Sequence, residues 1–352
     1  MNPFRRNILL SLFLFPIFLG IGWYITESPL NDLDFQSIGH PEETKTLSVG
    51  FNRKGGNVLL VQPEFHPEYY SREDRFEAWI ESFLRLAKGK GWIEKSTLVV
   101  YPPEIGNYFF LHDQRREVFF SPNEIEAWEK VSFYRSISWR ELSNGSFTKV
   151  QVEHSIAKEM FDTYVRIFSN LSRLYNAFII GGSILLPPLE IQGTEIKLSE
   201  GKWEEKVFLF KPDGTFSLVQ IKKDNYRSNS LGEYLNQGVS RNVSPVTEKL
   251  GIVQFPFARF GFLFKEDFKD PSLSEAIRKT FVSRWIALGS VQDDGLFQDW
   301  AKQSNLETTA QVIFSGTGFK TDFPGNSFVK SRYGVPEPKP EAKGPYLINL
   351  YL

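Results

Sequence analysis

The ten residues from Arg259 to Phe268 constrain the fold most. The centre, Phe260-Gly261-Phe262-Leu263-Phe264, is a short apolar run with Arg259 before it and Lys265-Glu266-Asp267 after it. Such a run reads as a strand covered on both faces. A sheet built from it therefore needs a layer on either side. The three charges at the strand's end must be solvated or paired, because burying a bare charge is costly.

The rest of the chain supplies those layers. Val58-Leu59-Leu60-Val61-Gln62 is a strand stopped by Pro63, and Thr97 to Tyr101 is another, ended by Pro102-Pro103. Between them the spacing predicts a helix from about Ser71 to Lys88, with Phe76, Trp79, Ile80, Phe83 and Leu84 on one side. Asn107 to Gln151 is aromatic and charged with weak periodicity and reads as an irregular insertion with short helices. Ile156, Met160, Tyr164, Ile167, Phe168, Leu171 and Leu174 predict a helix from about Ser155 to Tyr175, followed by a strand from Ala177 to Leu186. Lys206–Lys211 and Thr215–Ile221 flank the turn Pro212-Asp213-Gly214 and read as a hairpin. Further on, the pattern gives helices at Ser272–Leu288 and Phe297–Thr308. It gives strands at Gly289–Gln292 and Ala310–Phe314, with Tyr346–Leu352 as a last edge strand. Strands alternating with helices indicate an α/β architecture.

Composition excludes several chemistries. Lys plus Arg number 41 against 42 Asp plus Glu, so no net field selects nucleic acid. The 33 Phe and 8 Trp can fill a substantial core. There is no cysteine, which removes disulfides, thiolate metal sites and any thiol nucleophile. The four His are scattered without metal-ligand spacing. The glycines match neither a P-loop nor a dinucleotide fingerprint, and no serine sits in a nucleophile elbow. No cofactor is expected.

The amino terminus suggests a location. Arg5-Arg6 precede an uncharged apolar stretch from Ile8 to Ile25, which as a helix would reach roughly 27 Å, enough for a thin bilayer. The flanking charges favour a cytoplasmic amino terminus and an extracytoplasmic remainder. A cleaved signal peptide is the competing reading. Residues 1–26 are thus read as a membrane anchor or signal segment, 27–56 as a polar tether, and 57–352 as the folded domain.

Three charged positions then line up: Glu104 after the strand ending in Pro102-Pro103, Lys222 or Lys223 at the end of the hairpin, and Lys265 after the strand 260–264. Their order and surroundings resemble the nitrilase, or carbon–nitrogen hydrolase, superfamily. Gly232-Glu233-Tyr234 and the acidic Asp267, two places beyond Lys265, resemble most the extracytoplasmic domain of apolipoprotein N-acyltransferase. The resemblance implies a four-layer αββα sandwich, here with one N-terminal membrane helix, and self-association into a homo-oligomer. It also implies a triad in which a glutamate base, a lysine oxyanion stabiliser and a cysteine nucleophile cleave an acyl–nitrogen bond. Glu104 matches the base. Counting from Gly214 favours Lys222 over Lys223 for the lysine. Glu233 and Asp267 match accessory acidic positions.

The departure is at the nucleophile, where Lys265 stands. An amine that attacks an acyl carbon leaves a stable amide, so turnover would stop. The expectation is a catalytically silent carbon–nitrogen hydrolase-like protein at the envelope membrane, in which Lys265 pairs with Glu104 and the pocket binds a lipid or lipoprotein ligand or a partner. The alternative is an active amide hydrolase or lipoprotein-type N-acyltransferase that works without cysteine, through activated water or Lys265. A purely structural envelope role is the third reading.

Overall fold

The computed structural model describes residues 13–20, 44–143, 148–192, 195–222, 230–237, 250–264, 267, 272–288, 296–331 and 344–352. The strands are β1 (Lys45–Val49), β2 (Asn57–Gln62), β3 (Glu64–Phe65), β4 (Thr97–Val100), β5 (Phe178–Leu186), β6 (Leu189–Gln192), β7 (Glu195–Leu198), β8 (Glu204–Phe210), β9 (Phe216–Lys222), β10 (Gly251–Gln254), β11 (Arg259–Phe264), β12 (Arg284–Leu288), β13 (Thr308–Val312), β14 (Ser315–Gly318), β15 (Thr321–Pro324), β16 (Phe328–Ser331) and β17 (Tyr346–Tyr351). The helices are α1 (Glu73–Gly89), α2 (Arg116–Phe119), α3 (Glu124–Ser143), α4 (Lys149–Tyr175), α5 (Leu231–Leu235), α6 (Leu273–Lys279) and α7 (Leu296–Gln303).

Two mixed sheets carry the fold. One has seven strands in the order β1-β17-β2-β4-β5-β8-β9, and the other has five in the order β10-β11-β12-β13-β16. Strand alternation divides their side chains into three cores. Val58, Leu60, Leu98 and Val100 of the large sheet meet Phe260, Phe262, Phe264, Ile286 and Leu288 of the small one between the sheets. Leu59, Val61 and Val99 face the other way, onto the apolar stripes of α1 (Phe76, Ile80, Phe83) and α4 (Ile156, Met160, Phe168). Leu263, Trp285 and Ala287 pack outward on Leu273 and Ile277 of α6 and on Phe297 and Ala301 of α7. The layers therefore run helix, sheet, sheet, helix. Each fully buried Phe in β11 is worth about 1.5–3 kcal/mol of apolar transfer. Gly261 serves the same strand differently: a Cβ there would lie 2.4 Å from the ring of its ladder partner Trp285, so only glycine lets the indole cross it.

Several elements differ from the sequence reading. Residues 45–49, within the polar tether, form β1 and pair in parallel with β17. The last strand is consequently internal: β17 lies between β1 and β2, with Leu347 and Ile348 fully buried. The insertion 107–151 contains the long α3. Helix α4 starts at Lys149, six residues earlier than the apolar spacing suggests, because Thr148 and Gln151 form a reciprocal capping box. Arg284–Leu288 is a strand and not the end of a helix, since pairing with β11 and β13 overrides its local spacing. The expected strand 289–292 lies outside the described residues. Among the described residues no helix is long and apolar enough to cross a membrane. Of the expected span 8–25, residues 13–20 are helical, with Phe13, Phe15 and Phe18 exposed, and the rest lies outside the described residues.

Candidate functional site

The site is built on the turn that follows β4. Tyr101 still bonds to β5 through its N–H to the Ile180 carbonyl, at 3.0 Å. Pro102 and Pro103 have no N–H to extend the ladder, and the chain turns at Glu104, a half-buried residue with φ +64°. That conformation is sparsely populated for a side chain with a Cβ, and the turn is held from below. The Glu104 N–H donates to Ser183 Oγ at 2.7 Å. Its carbonyl accepts from Asn107 N at 2.9 Å, and Gly106 N donates to the Ser183 carbonyl at 2.9 Å. The floor is the register shift in β5 between Ile180 and Ser183. Gly182 sits there at φ +70°, and a Cβ would lie 1.9 Å from the Pro102 carbonyl oxygen. Glycine at 182 is what lets the Pro-Pro-Glu turn rest on the sheet.

A second carboxylate lies beneath this turn. Glu205 of β8 is 4% exposed. Ser183 Oγ donates to Glu205 Oε2, and Asn107 Nδ2 donates to Oε1 at 2.6 Å. Asn107 Oδ1 accepts from Leu185 N at 2.7 Å, which fixes the carboxamide's orientation. Ser183, Asn107 and Glu205 were not singled out from sequence. The available signal was parity: Glu205 shares its strand face with Val207 and Leu209, which point between the sheets.

The other expected residues distribute as follows. Lys222 is the last residue of β9 and stands opposite Glu205 in the antiparallel ladder. Lys223 lies outside the described residues. Glu233 is in the first turn of α5, where its N–H is capped by Ser230 Oγ at 3.3 Å. Helix α5 is tied to α3 by Leu231 N donating to Glu124 Oε1 at 2.8 Å. Asn236 ties it to Trp203, two residues before Glu205, through both backbone groups of Trp203 at 2.8 Å. Asp267 is buried at the end of β11, and its Oδ2 accepts from Phe264 N at 3.0 Å. Lys265 itself, with Glu266, lies outside the described residues. Strands β9 and β11 touch across the two sheets. The structure therefore gathers Glu104, Ser183, Asn107 and Glu205 directly, places Lys222 by register, and puts Asp267 on the opposing sheet.

Among the described residues no group of His, Asp or Glu suits a metal ion. An open depression of about 360 Å³ lies elsewhere, at the start of α1, lined by Arg72, Glu73, Asp74, Glu77, His112 and Asp113. Burial, with Glu73 and Glu81 adding to it, raises the Glu77 carboxyl above the usual range. Arg72 there is paired with Asp74 and Glu73 with Arg166, and the depression includes none of the site residues above.

No family model matches the chain, and no curated protein matches it. Solved structures do. A cysteine-to-alanine variant of an amidase from Nesterenkonia sp. AN1, in complex with butyramide, aligns with a TM-score of 0.53 at 13% identity, covering 86% of this chain and 94% of the amidase. A cysteine-to-serine variant of that amidase, described as a member of the nitrilase superfamily, aligns at 0.52 and 13%, covering 86% and 93%. A third form, carrying acrylamide at its active-site cysteine, aligns at 0.51 and 13%, covering 84% and 93%. At this identity the likeness speaks for architecture, and it spans nearly all of the amidase. The chain has the carbon–nitrogen hydrolase fold of these nitrilase-superfamily amidases.

Proposed function

We propose that this chain is a carbon–nitrogen hydrolase-fold protein without acyl-transfer turnover, held at a membrane by its N-terminal apolar segment and acting as a binder of a lipid, lipoprotein or protein partner. One observation carries the reading: the amidases that share the fold have an active-site cysteine, and this chain has no cysteine at all. Glu104 keeps the base's place in the turn after β4. The count from Gly214 favours Lys222 for the lysine's place. Lys265 follows β11, where the nucleophile would stand. A thiolate attacks an acyl carbon and is later displaced by water or an amine, whereas an amine retains the acyl group as an amide. Lys265 and Glu104 are read as an ion pair that fills the pocket. Removing either partner of such a pair costs about 3–5 kcal/mol. Gly232-Glu233-Tyr234 and Asp267 favour a likeness to the extracytoplasmic domain of apolipoprotein N-acyltransferase.

The purified chain and its Lys265→Cys variant should be assayed together against amides, nitriles and phospholipid acyl donors. The unaltered chain is expected to turn over none of them, and the cysteine variant to gain turnover that Glu104→Gln abolishes. Turnover by the unaltered chain, lost on Glu104→Gln, would overturn the silent-site reading in favour of a cysteine-free hydrolase or acyltransferase.

A further inference from the structure

The end of the sandwich opposite the Glu104 turn carries the two most exposed large apolar side chains among the described residues, Phe281 at 93% and Phe51 at 80%. Strand direction puts them together. Phe51 lies between β1 and β2, and Phe281 precedes β12, which runs parallel to β11. The loops leading into β2 and β11 meet, since a Cβ on Gly56 would lie 2.7 Å from the Phe257 ring. Glu104 lies past the far end of β4, which is parallel to β2. Each ring sits on a tied loop. Asn52 Oδ1 accepts from Lys54 N at 2.9 Å, while its Nδ2 donates to Glu94 Oε1 at 2.9 Å. Phe281 stands at φ +54°, a conformation costly for a bulky side chain, beside the buried Val282. The same end is basic. Arg53, Lys54, Lys90, Lys95, Arg259 and Arg278 are exposed, and none of the six is in an ion pair among the described residues. Acids on the neighbouring loops and on α6 are already engaged: Glu94 with Asn52, Glu307 with Arg284 at 2.8 Å and Glu275 with Lys279 at 2.7 Å.

We propose that this end of the sandwich is a docking face for an anionic phospholipid bilayer. Phe51 and Phe281 enter the interface, and the basic residues face the headgroup phosphates. Bare rings among cations match a surface that is apolar within and negatively charged outside. A second copy would bring the same positive charge against this face, and like charges oppose each other. The inference rests on reading the N-terminal apolar segment as a membrane anchor, which holds the face near a bilayer at high local concentration. Strand β1 begins at the site end, where Lys45 opposes Tyr346 and Tyr346 opposes Gln62. Residues 26–44, at about 3.3 Å each, can span roughly 60 Å, so the anchor can stand under the opposite end. Docked in this way, the Glu104 end opens away from the bilayer, and its ligand reaches it from the aqueous side.

The chain has no cysteine, so one introduced thiol can carry a fluorescent label. The full chain is labelled as Phe51→Cys, as Phe281→Cys and, for comparison, as Phe120→Cys, in the insertion after Glu104 and 61% exposed. Each is mixed with vesicles of phosphatidylcholine alone or with phosphatidylglycerol, both containing a spin-labelled lipid as quencher. On the anionic vesicles, quenching is expected to be at least about twofold greater at positions 51 and 281 than at 120. It should fall at high salt and when Arg53→Glu and Lys54→Glu are combined with the Phe281→Cys label. Labels at 51 and 281 quenched no more than at 120 would overturn the proposal. So would a concentration-dependent shift of those labels without lipid contact, which would mark the face as self-associating. Flotation of the same samples separates this inference from the proposed function. A chain that floats on both vesicle types with 51 and 281 unquenched counts against this inference alone. A chain that floats only on the anionic vesicles, with both labels quenched, supports the docking face and counts against the anchor in the proposed function. A chain that floats on neither counts against both.

Discussion

Position 182 leaves no room for a side chain. A Cβ would meet the Pro102 carbonyl oxygen at 1.9 Å and Ile105 Cγ2 at 2.7 Å, on a backbone already at positive φ. Gly182→Ala is expected to cost about 3 kcal/mol, read as a lower denaturant midpoint with unchanged slope. Glu153 gives a second test at this scale. Burial, only partly offset by Lys149 and Trp128, raises its carboxyl above the usual range, and Lys149 Nζ stands 3.6 Å from Oε1. The folded chain holds this proton more tightly than the unfolded chain does. Glu153 therefore contributes most below the unfolded value, and that contribution is lost as pH rises through the folded one. Glu153→Gln should raise Tm by about 2 °C at pH 7 and give no gain in acid, below the ordinary glutamate range. A gain that persists unchanged in acid would refute the cause.

Among the elements, legibility followed locality. The strand at 260–264 and helix α1 were legible because their burial pattern is written in consecutive residues. The strand β12 was not. Its Trp285 and Leu288 fit helical spacing with Phe281, and only β11 and β13 on either side decide the matter. The capping box at Thr148 was a local signal that apolar spacing passed over. Thr148→Ala should cost about 1 kcal/mol, measured by thermal unfolding, and a loss near zero would mean the box adds nothing. The position of Glu104 just past the end of β4 was legible from Pro-Pro-Glu after an apolar run. Glu205 was hidden because Glu204-Glu205-Lys206 reads as an exposed strand start, and its burial depends on the turn after β4 folding over it. Asp267 was expected as an accessory acid, and its carboxylate is engaged with the end of β11.

At the scale of the whole molecule, the two sheets stacked back to back end in four edge strands, β1, β9, β10 and β16. Strand β1 covers β17, whose Leu347, Ile348 and Leu350 are at most 1% exposed. Deleting residues 1–49 should uncover that edge, lower Tm and promote association through β17, seen by light scattering; a monomer of unchanged Tm would contradict this. The chain shares the architecture of the amidases and contains no cysteine. Intact-mass spectrometry after exposure to an activated acyl ester tests this most directly, with Lys265→Cys beside the unaltered chain. The expected result is a single acyl adduct on the cysteine variant, lost with Glu104→Gln, and no Glu104-dependent adduct on the unaltered chain. A Glu104-dependent adduct on the unaltered chain, one that subsequently hydrolyses, would contradict it.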